Sequence, residues 1–235
     1  MRFKSSSPIS LAVLLTLLAA ALLYRFAVPA GLDNGFDLSN SILPRNEIQH
    51  GGPPRDGIPA LSDPRLVTAG EADYLQPADR VLGIEIDGEA RAYPIPILNW
   101  HEIVNDTVGG RRLAITYCPL CGTGVAFDAH IDGEPTDFGV SGLLYNSDVL
   151  LYDRASESLW SQILGKAVSG ERVGKRLLPV PLTHTTWKAW RASYPHTLVL
   201  SDDTGYSRNY QRDPYDGYEQ SRHTYFSVNN AAPAS

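Results

Sequence analysis

Ile103-Val104-Asn105-Asp106-Thr107-Val108-Gly109-Gly110-Arg111-Arg112-Leu113-Ala114-Ile115-Thr116-Tyr117-Cys118 is the stretch on which the reading of the fold turns. Runs rich in β-branched residues flank a Gly-Gly pair, and two glycines supply the two positive φ angles that a tight hairpin turn needs. The spacing predicts paired strands, Ile103 to Val108 and Leu113 to Tyr117. Upstream the same grammar recurs: Val81 to Ile86, then Asp87-Gly88, then Ala90 to Tyr93. Further strands are expected over Gly124 to Phe127, Thr136 to Val140, Asp148 to Tyr152 and Thr197 to Leu200. Short helices are expected over Pro94 to Trp100 and Thr185 to Ser193, with Thr185 or Thr186 as cap. The pattern predicts one α+β domain, β-rich, built of antiparallel hairpins with a few short helices.

Composition agrees with a packed domain and narrows its partners. Of 235 residues, 43% are hydrophobic and 20% charged, ordinary for a chain that buries a core. Seventeen prolines and twenty glycines argue against a long-helix bundle. The formal net charge is −6, and three of the basic residues (Arg2, Lys4, Arg25) precede residue 31, so the body is more acidic still. Phosphate backbones are recognised by clustered Lys and Arg, and nucleic acid is therefore not an expected partner. The chain carries no signal that sets an oligomeric state.

The amino terminus reads as an address. Arg2 and Lys4 precede an apolar run from Ile9 to Tyr24, followed by Arg25 and Val28-Pro29-Ala30. Residues 1–30 fit a signal peptide or an uncleaved membrane anchor, and a buried core helix is the plain alternative. The first two readings place the body outside the cytoplasm, periplasmic or extracellular, secreted or held at the membrane, with the basic flank inside. Residues 31–55 lack a sustained period and read as an extended linker. The domain proper is expected over 56–215 and a loose tail over 216–235.

One segment is chemically loud. Cys118-Pro119-Leu120-Cys121-Gly122 contains both cysteines of the chain. Two intervening residues let both sulfurs reach one atom, Pro119 restricts the turn, and Gly122 permits a positive φ. The plain reading is a pair of buried, inert thiols. A soft-metal site is the leading functional reading, with a copper or zinc ion as cofactor. Thiol–disulfide exchange is the alternative, although a strand rather than a helix is expected after Cys121. A structural disulfide closing so short a loop gains least and ranks last.

His101 is the expected third ligand beside Cys118 and Cys121. It precedes the strand paired through Gly109-Gly110 with the strand that ends at Cys118, so the outer ends of the hairpin meet. Glu102 and Asp106 are candidates to orient its ring or accept a proton, with solvated surface as their plain fate. His184 is a weaker candidate, and His50 and His223 fall in the expected linker and tail. A Cys2His set with an open position suits catalysis as well as binding. A metal-donor protein or a small molecule is the partner it implies.

Other stretches favour plain readings. Ser141 has Gly139 two positions earlier but Leu143 where a nucleophile elbow requires its second glycine, and no phosphate loop, dinucleotide fingerprint or HExxH helix is present. Asn105-Asp106-Thr107 matches a glycosylation acceptor by pattern alone. Trp160, Trp187 and Trp190, with twelve tyrosines, are core first and cleft lining second, and in that second case the domain is a non-catalytic module for a sugar or peptide. Asn146 and Asp148 are placed to border a pocket.

Taken in order, GEARAYP (Gly88 to Pro94), NWHEIVND (Asn99 to Asp106), TYCPLCGTG (Thr116 to Gly124), FGVSGLLYNSD (Phe138 to Asp148) and LWSQ (Leu159 to Gln162) resemble the bacterial and archaeal domain-of-unknown-function family 3179. The likeness runs from about Asp56 to Tyr215. It implies an often secreted or membrane-tethered domain with a CPLCG segment, and it assigns no catalytic residue. Gly124 departs from the alanine expected in many members.

Overall fold

The structure, a computed structural model, describes residues 32–229. The signal-or-anchor segment lies outside the described residues. Within them no helix is long and apolar enough to cross a membrane.

Both expected hairpins form. Strands Ile103–Val108 and Arg111–Cys118 pair antiparallel from Ile103 opposite Thr116 to Val108 opposite Arg111. Gly109 and Gly110 turn the chain at φ 54° and 75°. Strands Arg80–Ile86 and Glu89–Pro94 pair in the same way about Asp87 and Gly88, both at positive φ. Helix α1, Ile95–His101, and helix α2, Trp187–Ser193, are the two short helices. Thr186 caps α2, its hydroxyl accepting the Ala189 amide at 3.3 Å. The domain is therefore β-rich α+β, as its sequence pattern implies.

Three five-stranded sheets carry the architecture. The first runs Pro179–Val180, Thr123–Asp128, Arg111–Cys118, Ile103–Val108, Leu61–Ser62; the last pair is parallel. The second runs Lys166–Ser169, Leu159–Ser161, Asp148–Asp153, Phe138–Tyr145, Ile48–His50. The third runs Thr183–Thr186, Arg80–Ile86, Glu89–Pro94, Leu198–Leu200, Leu66–Thr68, with Leu198–Leu200 parallel to Glu89–Pro94. The first sheet is buried on both faces. Val104, Leu113, Ile115 and Tyr117 pack toward the third sheet with α1, and Ile103, Ala114, Cys118 and Phe127 pack toward the second. Period-two alternation thus decides that Cys118 and Tyr117 look in opposite directions.

Two expectations at the ends of the domain need correction. Within the expected linker 31–55, the described residues 32–55 are not a spacer: Phe36 and Leu38, 1% and 2% exposed, enter a core against the second sheet, and Ile48–His50 adds a strand to its edge. Apolar side chains spaced too irregularly to show a period still find a face to cover. Gly142 permits this approach. It sits at φ 75° in a bulge of Phe138–Tyr145, and a Cβ there would fall 2.2 Å from the Pro53 carbonyl oxygen. The stretch expected as a loose tail is mostly exposed as far as it is described, but it is anchored to the domain at points. Phe226 covers the cysteine turn, its carbonyl accepts Ser147 Oγ at 3.0 Å, and the Asn229 amide donates to Asn146 Oδ1 at 2.8 Å.

Candidate metal centre

The CPLCG segment is the loop of a hairpin. Cys118 ends one strand and Thr123, its partner in register, begins the next, so Pro119 to Gly122 close the turn. Gly122 takes φ 61° and the Cys121 amide donates to the Cys118 carbonyl at 3.2 Å. Both thiols are free, Cys118 buried and Cys121 half-buried. No helix follows Cys121; the chain goes directly into strand Thr123–Asp128.

A second hairpin, from the second sheet, meets this loop. Strands Phe138–Tyr145 and Asp148–Asp153 are joined by Asn146 and Ser147, both non-glycine residues at positive φ (52° and 61°). Such angles suit the twist of a two-residue hairpin, at some backbone cost. They aim the Ser147 carbonyl at the sulfurs, where it accepts Cys121 Sγ at 3.3 Å and Cys118 Sγ at 3.5 Å. The next residue, Asp148, brings a carboxylate beside them. Ligand atoms of Cys118, Cys121 and Asp148 all lie within 4.8 Å of one another.

The Asp148 carboxyl is held on one side only. Its Oδ2 accepts Ser161 Oγ at 3.1 Å and the Ile163 amide at 3.2 Å, while its Oδ1 is buried with no hydrogen-bond partner. Burial pushes its pKa up to about 6. The Cys118 thiol is pushed up as well, by its hydrogen bond with Cys121, by burial and by the neighbouring charges of Cys121 and Asp148. The surroundings disfavour the anions of Cys118 and Asp148, and a cation held between them would offset that cost. Two sulfurs and one oxygen suit zinc, whose bonds run about 2.3 Å to thiolate and about 2.0–2.2 Å to carboxylate.

Neighbouring residues brace the centre. Gln162 donates from Nε2 to Thr116 Oγ1 at 2.9 Å and to the Thr123 carbonyl at 3.3 Å, tying together the two strands that hold the cysteines. The YNSD and LWSQ motifs thus converge on the cysteine hairpin through Ser147, Asp148, Ser161 and Gln162. Gly124, the departure from the resemblance, has no room for a side chain: a Cβ would lie 2.6 Å from Leu82 and 3.0 Å from His184 Nε2. That same His184 nitrogen meets the Gly124 amide at 3.1 Å, away from the sulfurs.

The expected third ligand, His101, is engaged elsewhere. Helix α1 runs through His101, and the ring, 0% exposed, turns to the Pro59 carbonyl (Nδ1, 2.7 Å) and the Tyr210 hydroxyl (Nε2, 2.7 Å). A carbonyl only accepts, so Nδ1 carries the proton and Nε2 accepts from Tyr210. Burial lowers the His101 pKa, favouring this neutral ring. The third group beside the sulfurs is Asp148.

Glu102 and Asp106 are buried rather than solvated. Asp106 accepts Tyr93 Oη at 2.8 Å in the interior. Glu102 ends helix α1 at φ 58°, ψ −31°, outside the left-handed basin, a conformation costing on the order of 1–3 kcal/mol. Burial pushes its carboxyl up to about 8, opposed by a hydrogen bond from Tyr215. Asn105 is 0% exposed and its amide bonds Phe138 and Leu61, so it offers no glycosylation acceptor in the folded domain. Trp160, Trp187 and Trp190 are core residues. Tyrosines line a surface cleft of about 400 Å³ on the far side of the CPLCG turn, bounded by Tyr117, Tyr210, Tyr215 and Tyr218. His223, expected in the tail, faces Cys121 across a second cleft of about 320 Å³.

Fold and site together define a three-sheet β-rich domain in which two hairpin loops juxtapose a dithiol and a buried carboxylate. The chain belongs to the family described as protein of unknown function (DUF3179), whose sequence model matches residues 55–234. That span takes in the carboxy-terminal segment packed over the cysteines. Comparison with curated proteins and with solved structures returned no match.

Proposed function

We propose that this protein is an exported metal-binding domain in which Cys118, Cys121 and Asp148 hold one zinc-class divalent ion. The observation that carries this reading is Asp148 Oδ1, a buried carboxylate oxygen with no hydrogen-bond partner beside two thiols. A carboxylate in the set favours zinc over cuprous copper, which prefers sulfur throughout. Metal binding would displace the proton that burial and its neighbours favour on Cys118. The basic-then-apolar amino terminus supports a location outside the cytoplasm, on the membrane or released from it. Dithiol exchange is less well supported, because the buried Cys118 thiol is pushed up rather than activated.

The test is metal analysis of full-length protein purified without chelator, followed by anaerobic titration with Zn(II) and with Cu(I). One equivalent of zinc is expected, lost in Cys118→Ser and weakened at least tenfold in Asp148→Asn. Protein that carries no metal and takes up neither ion, with both thiols open to a thiol reagent, would overturn the proposal. Stoichiometric Cu(I) uptake undisturbed by Asp148→Asn would replace zinc by copper and remove Asp148 from the ligand set.

A further inference from the structure

The strained, buried Glu102 has no part in the metal centre, yet it is one of the residues lining a cavity. This space, about 220 Å³, lies between the second sheet, the CPLCG turn and the carboxy-terminal segment. Leu120, Leu144, Val149 and Phe226 give it apolar walls, and Glu102 with Tyr215 form its inner polar spot. Tyr225, more than half exposed, belongs to its rim. An apolar cavity of about 150 Å³ is already large enough to take up benzene. This one is larger and adds what a purely apolar void lacks: one hydrogen-bonding end.

The chemistry of that end is specific. Tyr215 hydrogen-bonds the Glu102 carboxyl. The remaining oxygen of a carboxylic acid can then donate to, or accept from, a ligand oxygen. A carboxylate would repel an anionic ligand, and apolar walls would not solvate a cation. Ligand pockets commonly combine such walls with a few placed polar groups, and backbone strain tends to persist where it fixes a functional side chain. Glu102 is such a residue, at φ 58° directly after α1 and in the lining of the cavity.

We propose that this cavity binds a compact, uncharged, cyclic molecule bearing a single phenolic or carbonyl oxygen, its ring against Leu144 and Val149 and its oxygen on Glu102. The site adjoins the metal loop through Leu120 and Val149 but uses none of the proposed metal ligands.

The test uses the full chain, measured both zinc-loaded and after chelator treatment, by calorimetry and ligand-observed NMR. The probes are phenol, cyclohexanone, toluene and benzoate. Phenol and cyclohexanone are expected to bind saturably at one site, toluene about tenfold more weakly for want of the hydrogen bond, and benzoate not at all. Glu102→Gln, which keeps the shape, should narrow the difference between phenol and toluene, and Val149→Phe should abolish all binding. The wild-type series stands without any variant, should one fail to fold. Absence of saturable binding by every probe, or toluene and phenol binding alike to wild type, would overturn the proposal. Binding that persists in chelator-treated protein separates this result from the fate of the metal reading.

Discussion

The Ser147 carbonyl oxygen stands 3.3 Å from Cys121 Sγ, which places the turn of one hairpin on the turn of another. The contact is made by backbone, so the identity of residue 147 matters through its side chain elsewhere. Ser147 Oγ donates to the Phe226 carbonyl at 3.0 Å and so pins the carboxy-terminal segment over the cysteines. Ser147→Ala removes that bond while leaving the carbonyl in place. A loss of about 1 kcal/mol is expected. Hydrogen exchange should quicken over residues 221–229 with metal content unchanged; unaltered exchange there would show that the segment is held by Phe226 packing alone.

Asp148 should stabilise the protein with metal and destabilise it without. Its folded pKa of about 6 lies above the ordinary 3.8, so its contribution is fully present below 3.8 and is lost as pH rises through 6. At pH 8 the metal-free protein therefore bears the cost of a buried anion, roughly 3 kcal/mol. Asp148→Asn escapes it. In chelator at pH 8 the variant should melt above wild type, and with excess zinc below it. Thermal melts under the two conditions check the crossing, and parallel curves would exclude Asp148 as a ligand.

The strands were legible wherever turn chemistry was local. Asp87-Gly88 and Gly109-Gly110 announce their hairpins, and Thr186 announces α2. Cys118 and Cys121 stand out because their spacing is itself a short-range signal. Asp148 was harder, since only the pairing of Phe138–Tyr145 with Asp148–Asp153 carries it to the sulfurs, 27 positions on from Cys121 in the chain. Asn146-Ser147 lacks the glycine that marks such a turn. His101 was misplaced for a related reason. The hairpin register was right, but one residue of positive φ at Glu102, unmarked by glycine, sends the ring to Pro59 and Tyr210. Burial of Phe36 and Leu38 was invisible because the sheet they cover is assembled from residues a hundred positions away.

His101 should prove a structural residue. Its ring satisfies the Pro59 carbonyl and the Tyr210 hydroxyl in a site closed to solvent. His101→Ala opens a cavity and strands both partners, at a cost of about 2–4 kcal/mol. Denaturant midpoints should fall accordingly while zinc stoichiometry holds at one. Loss of zinc from a variant that is still folded would return the imidazole to the ligand set.

Glu102 supplies the clearest pH signature. Its pKa rises from 4.5 in the unfolded chain to about 8 in the folded one. The folded state holds the proton more tightly, so this stability is complete below pH 4.5 and is lost as pH climbs through 8. A shift of that size corresponds to roughly 4–5 kcal/mol at the alkaline end. Asp148 adds a slope of the same sign that ends near pH 6. His101, its pKa lowered by burial, acts oppositely, its contribution present above 6.5 and lost as pH falls. Between pH 6.5 and 8.5 the decline in chelator-treated protein should therefore come chiefly from Glu102. Urea unfolding of wild type and Glu102→Gln across that interval isolates it, because the other groups cancel in the difference. The wild-type curve should fall and the variant's should stay nearly level, crossing above wild type on the alkaline side. Equal slopes would mean that Glu102 reaches water and titrates as an ordinary carboxylate, and the strained turn at φ 58° would then need another explanation.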